Sequence, residues 1–267
     1  MAAWDPKGRW VLVTGASSGI GRELARAAAR AGARLVLVAR SVDRLVELER
    51  ELSAQGTSVL VVASDLAQPG AARQVFDTVQ EAGIELDALV NNAGVGRAKA
   101  LAGDEPGPVL SLLDLNCRAL TELTMLFLPG IRARGDGGIL LVASLVSFFP
   151  VPEMAAYAAS KAYVRSFGEA LGAELGGSGV HVTVLCPGNV PSGFQEAAGF
   201  REGALDTPGV LSAERTAELA WRGFVRRRGR VVPGWVNRLA LLGTSLLPNP
   251  WIARIAAQVL KRTGRFD

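Results

Sequence analysis

One histidine, two cysteines and two tyrosines stand in 267 residues, and each scarcity narrows the chemistry. His181 has no second imidazole with which to share a metal or complete a Ser-His-Asp triad, so neither is expected. Cys117 and Cys186 lie in apolar stretches at no metal or redox spacing, and read as reduced core thiols of a reducing compartment. No apolar run approaches the ~18 residues that a membrane-spanning helix needs. The opening "MAAWDPKGRW" carries no apolar leader core, so a cytoplasmic protein is expected. Acids are scarce at one end: residues 222–267 hold ten Lys or Arg and one acid, Asp267. No nucleic-acid motif accompanies that charge, so nucleic acid is not expected as a partner.

What is present is a regular alternation. "RWVLVT" (9–14), "RLVLVA" (34–39), "TSVLVVA" (57–63), "LDALVN" (86–91), "GGILLVAS" (137–144) and "VHVTVLC" (180–186) are apolar on both faces, as buried parallel strands are. Between them lie helical stretches such as "GRELARAAARAG" and "SVDRLVELERELSAQG", the second bounded by Ser41 and Gly56. Strand–helix repetition at this spacing predicts an α/β fold: one Rossmann-type domain over 1–235, its doubly wound parallel sheet flanked by helices on both faces. Residues 236–267 read as an amphipathic helical extension.

The first strand runs into "TGASSGIG" (14–21). Gly15, Gly19 and Gly21, with Ser17, Ser18 and Ile20 between them, would set backbone N–H groups and a helix N-terminus against a pyrophosphate. No Gly-Lys-Ser/Thr follows, which argues against a triphosphate loop and for a dinucleotide. At the end of the second strand, where an acid would hold a ribose 2′-hydroxyl, the chain has Ala39 and Arg40. Arg40 can pair with a 2′-phosphate, favouring NADP(H), with NAD(H) the alternative cofactor. Asp65 and Leu66 of "SDLA" flank the adenine position, and Asn92, Ala93 and Gly94 of "NNAG" offer small, close-packed backbone at the fourth strand's end.

In "YAASK", Tyr157 and Lys161 stand four apart on a predicted helix and share a face, so the ammonium can stabilise the phenolate. These motifs, in this order with "LN" at 115–116, Ser144 thirteen residues before Tyr157, and "PG" at 187–188, resemble the short-chain dehydrogenase/reductase family over residues 9–235. The resemblance implies an oxidoreductase in which Tyr157 is general acid or base and Lys161 holds the nicotinamide ribose and lowers the Tyr157 pKa. It further implies that Ser144 hydrogen-bonds the substrate carbonyl and Asn116 organises a water leading from Lys161. Pro187, Gly188, Val190 and Ser192 would face the nicotinamide. Residues 189–210 are expected to form a flap, and Phe148, Phe149, Val151, Met154, Phe194 and Phe200 an apolar pocket for a lipophilic ketone, aldehyde or 3-oxoacyl substrate. The alternative is a catalytically inactive NADP-binding regulator of the same fold; the complete Asn116, Ser144, Tyr157, Lys161 set weighs against it. A homodimer or homotetramer is expected by resemblance. For the basic amphipathic tail two readings stand: it folds back over the site or a partner subunit, or it contacts a membrane surface.

Overall fold

The computed structural model describes residues 2–191, 193–194, 198–199, 210–245 and 248–262. Each expected strand forms: β1 (Trp10–Thr14), β2 (Arg34–Ala39), β3 (Val59–Ala63), β4 (Ala88–Asn91), β5 (Gly137–Val142) and β6 (Val180–Leu185), followed by a short β7 (Arg230–Val231). They pair in parallel in the order β3-β2-β1-β4-β5-β6-β7. The chain winds outward from β1 to β3, then returns to lay β4 on the other side of β1. The switch point therefore falls between β1 and β4, where a crevice opens at the strands' carboxyl ends.

Apolar character on both strand faces follows from helices covering both. Within β1, Val11 and Val13 join one buried cluster while Leu12 joins the other. Leu35 and Leu37 against Val36 and Val38 repeat that split in β2, as do Leu140 and Val142 against Ile139 and Leu141 in β5. Side chains alternate sides with period two, so a sheet clothed on both faces needs unbroken apolar runs. One face is covered by α1 (Gly19–Arg30), α2 (Val42–Ser53) and α7 (Ala213–Val225), the other by α3 (Ala71–Glu81), α5 (Leu120–Ala133) and α6 (Ala155–Glu174). Ser41 occupies the N-cap position of α2 but makes no capping bond there, whereas Ser212 caps α7 by accepting from the Arg215 N–H at 3.1 Å. Gly56, just past α2, turns at φ +84°, a left-handed conformation that favours glycine.

Two short helices, α4 (Pro106–Leu113) before the site and α8 (Trp235–Ser245) after the sheet, frame the carboxyl-end crevice. A last helix, α9 (Asn249–Arg262), follows α8. The tail touches the body of the protein. Arg238 Nε donates to the Val232 carbonyl at 3.0 Å, a Cβ on Gly188 would lie 2.5 Å from Asn237 Nδ2, and Ile252 of α9 is buried. Among the described residues no helix is long and apolar enough to cross a membrane.

Candidate active site

β1 ends at Thr14 and the chain turns through Gly15 (φ +66°) and Gly19 (φ +52°) into α1. Close approach, more than φ, explains Gly21: a Cβ there would sit 2.3 Å from both Asn92 Nδ2 and the Gly15 carbonyl oxygen. The first turn of α1 holds no acid, and the exposed Ser18 at its N-cap makes no side-chain capping bond. The positive end of the helix dipole therefore meets the crevice uncompensated, beside Ser17 and Ile20, which are both half-buried. This cradle fits a dinucleotide pyrophosphate.

The Thr14 hydroxyl ties the turn to the next strand. Its Oγ1 accepts from the N–H groups of Asn92 and Ala93, both at 2.9 Å, and donates to the Val90 carbonyl at 3.3 Å. Asn92 Nδ2 returns a bond to the Thr14 carbonyl at 2.9 Å. Arg40 stands exposed directly after β2, and among the described residues it pairs with no carboxylate. The Asp65 carboxylate accepts from the Ala67 N–H and from Gln68 Nε2, both at 3.2 Å, which holds the bend after β3 with Leu66 buried beneath it.

The four polar residues come together at the ends of β4 and β5. Asn116 is fully buried in a single π-helical turn, Asp114–Ala119, between α4 and α5. Such widened turns often mark functional positions. Its Oδ1 accepts from the Val95 N–H, and its Nδ2 donates to the Val95 carbonyl and to Ser160 Oγ, all at 3.0 Å. Both amide protons are thus committed, and the side chain clamps the loop after β4 to α6. Ser160 Oγ in turn donates to the Tyr157 carbonyl at 2.7 Å. Lys161 Nζ donates to the Val142 carbonyl at 2.9 Å and lies 6.0 Å from the centroid of the Tyr157 ring. A Cβ on Gly94 would fall 3.0 Å from Asn116 Oδ1 and 3.2 Å from Lys161 Nζ, so a larger residue there would press directly on both polar groups.

Electrostatics revises one expectation. Burial pushes the Tyr157 phenol up to about 12, and it is the Ser144 side chain, not Lys161, that acts to lower it. Burial likewise brings Lys161 down to about 8, opposed by the nearby Cys117 and Cys186 thiols. One of the ammonium's three protons goes to the Val142 carbonyl, and desolvation of the phenolate dominates over its charge. Ser144 is buried at the start of a 3₁₀ turn, Leu145–Phe148, with its Oγ 3.4 Å from the Val146 N–H.

The apolar residues divide. Met154, Val151, Phe149 and Phe194 gather around Tyr157, with Phe194 5.7 Å from its ring centroid. Phe148 does not join them. It packs on the main core, its ring covered by the guanidinium groups of Arg165 at 4.6 Å and Arg230 at 5.4 Å. The reason is its place at the end of the 3₁₀ turn, where two cations meet its face. Pro187 and Val190 are buried in the loop after β6 and Gly188 is half-buried there. Ser192, Phe200 and most of the expected flap lie outside the described residues.

Thr14, Ser160 and Asn237 were absent from the sequence-derived set. Thr14 and Ser160 sit inside the quoted motifs, so adjacency was the available signal. Nothing local in "WVNRLA" announces that Asn237 meets Gly188.

Compared with known proteins, the profile of the short chain dehydrogenase family matches residues 9–202. A very-long-chain 3-oxoacyl-CoA reductase of Phaeosphaeria nodorum is 34% identical over 192 residues, 68% of this chain and 55% of that protein. The chain thus spans about half the length of that relative. Among solved structures, a short-chain dehydrogenase of Sphingobium yanoikuyae in complex with NADPH matches with TM-score 0.80 and 32% identity, covering 89% of this chain and 93% of that one. A short-chain dehydrogenase/reductase of Burkholderia phymatum in complex with NAD matches with TM-score 0.80 and 27% identity, covering 90% and 92%.

Proposed function

The chain belongs to the short-chain dehydrogenase family, and from that premise we propose that it is an NADPH-dependent carbonyl reductase acting reversibly on a lipophilic ketone, aldehyde or 3-oxoacyl group. The observation that carries the reading is the convergence of Ser144, Tyr157 and Lys161 at the carboxyl end of the sheet. There the ammonium lies 6.0 Å from the phenol ring and Ser144 acts on its hydroxyl.

The Gly15–Gly21 turn would hold a nicotinamide dinucleotide, which when bound would supply the hydride for a carbonyl carbon. Ser144 donates a hydrogen bond to the substrate oxygen, steadying charge as it develops. Tyr157 gives that oxygen its proton. A phenol held near 12 keeps its proton until the oxygen becomes alkoxide-like, which suits the reductive direction. Lys161 holds the ribose hydroxyls, Asn116 positions the loop beside it, and Arg40 pairs with the 2′-phosphate. The NADPH complex of the Sphingobium relative supports the cofactor, and the NAD complex of the Burkholderia relative keeps NADH as the competitor. The apolar cluster of Val151, Met154 and Phe194 on Tyr157 supports a lipophilic substrate, as does the 3-oxoacyl-CoA relative. A homodimer or homotetramer would use the α5–α6 face, where Met125 and Tyr163 stand exposed.

A screen of ketones, aldehydes and 3-oxoacyl thioesters, run in parallel with NADPH and NADH, tests the reading. Tyr157→Phe should abolish turnover on any active substrate, by ~100-fold or more, while NADPH affinity stays unchanged. Full activity in that variant, or tight NADPH binding with no turnover across the whole screen, overturns it.

A further inference from the structure

The tail carries a duplication. Trp-Val-Asn-Arg-Leu-Ala at 235–240 recurs as Trp-Ile-Ala-Arg-Ile-Ala at 251–256, once at the head of α8 and once near the head of α9. In both copies the tryptophan and the aliphatic residue four later are exposed: Trp235 (72%) with Leu239, and Trp251 (60%) with Ile255. At ~100° per residue these pairs lie on one stripe of their helix, and Leu242 extends the α8 stripe. The arginine of each copy, Arg238 or Arg254, is exposed and stands about 60° to one side. Meanwhile Ile252, on a different side of α9, is buried, so α9 rests on protein and leaves its Trp251–Ile255 edge bare.

We propose that α8 and α9 together form a docking face for an anionic membrane surface. Charge selects the occupant: α8 and α9, residues 235–262, hold no Asp or Glu and four Lys or Arg. A second copy of the chain is a poor fit, because two such faces would bring Arg238 and Arg254 together with no acid in α8 or α9 to answer them. Tryptophan suits the boundary between headgroups and acyl chains, where its ring is buried and its N–H stays wet. The α9 helix, 14 residues and so about 21 Å long, lies in the interface rather than crossing it. Asn237, on the opposite side of α8 from Trp235, abuts Gly188, so α8 is seated on the loop after β6 and presents the docking stripe outward. The inference does not depend on the reduction chemistry, since docking is read without turnover.

Flotation of the full chain with phosphatidylcholine vesicles, with and without phosphatidylserine, tests it. The wild type should float with the phosphatidylserine vesicles only, and less as salt rises. The double variant Trp235→Ser/Trp251→Ser should stay at the bottom while keeping its circular dichroism and melting temperature, because both rings are exposed. Arg254→Glu, which removes one positive charge and adds a negative one, should weaken binding about thirtyfold; Arg238 is left intact because it holds the Val232 carbonyl. Three results would overturn the proposal: no flotation of the wild type, flotation equal on neutral vesicles, or flotation untouched by both variants. A fall in mass on light scattering in the tryptophan variant, without vesicle binding by the wild type, would assign the face to a second copy instead.

Discussion

Replacing His181 by Phe should erase a pH dependence of stability that the protein owes to a single imidazole. His181 is the only histidine of the chain, second residue of β6, paired in register with Gly138. Its ring lies 4.5 Å from the Phe224 centroid and 6.3 Å from that of Trp4. Burial, aided by the positive charge of Arg227, lowers its pKa from 6.5 to about 4. In the unfolded chain the same group titrates near ~6.5. As pH falls from 6.5 to 4, the unfolded state therefore takes up a proton that the folded state refuses. Its contribution is complete above 6.5, declines by ~1.4 kcal/mol per unit, and is gone at about 4. The integrated loss is at most about 3.5 kcal/mol. Urea unfolding at pH 7, 6, 5 and 4.5, followed by tryptophan emission, reads it as the difference between wild type and variant, because carboxylate titrations are common to both. The wild type should lose ground to His181→Phe progressively over that window. Parallel stability curves for the two proteins would refute the burial argument.

Two further outcomes follow from the site. Arg40→Glu should raise KM for NADPH by roughly tenfold or more, the scale of a charge-assisted bond lost and a repulsion gained, and leave KM for NADH unchanged or lower; steady-state kinetics with both cofactors measures it. Asn116→Ala should destabilise the fold by ~1–3 kcal/mol for each buried partner it strands among the Val95 N–H and carbonyl and Ser160, seen as a lowered denaturant midpoint.

The alternation of strands and helices, the glycine turn after β1 and the spacing of Tyr157 and Lys161 were legible in the chain because each depends on short-range facts, whereas Ser144 was reached through the family resemblance. A two-residue period marks a strand covered on both sides, and a missing Cβ marks a turn where backbone must approach. Four residues apart on a helix means one face. Strand ends were less legible: β3 and β4 begin at Val59 and Ala88, two residues later than the sequence suggests, although Asp87 still joins the neighbouring strands through its backbone and its carboxylate also takes the Trp10 N–H at 2.8 Å. Apolar content alone did not say where Phe148 would go, since two arginines distant in sequence claimed its ring.

What the sequence determined by itself is the order of elements and which polar residues the fold could bring to the carboxyl end of the sheet. What only the tertiary structure decided is their state. The same ammonium expected to acidify Tyr157 is turned to the Val142 carbonyl, and the phenol sits near 12. Asn116 is drawn into a π turn with its amide filled. The physical reason is that desolvation and hydrogen-bond commitment are properties of a group's whole surroundings, and those surroundings are assembled from strands that the sequence sets far apart.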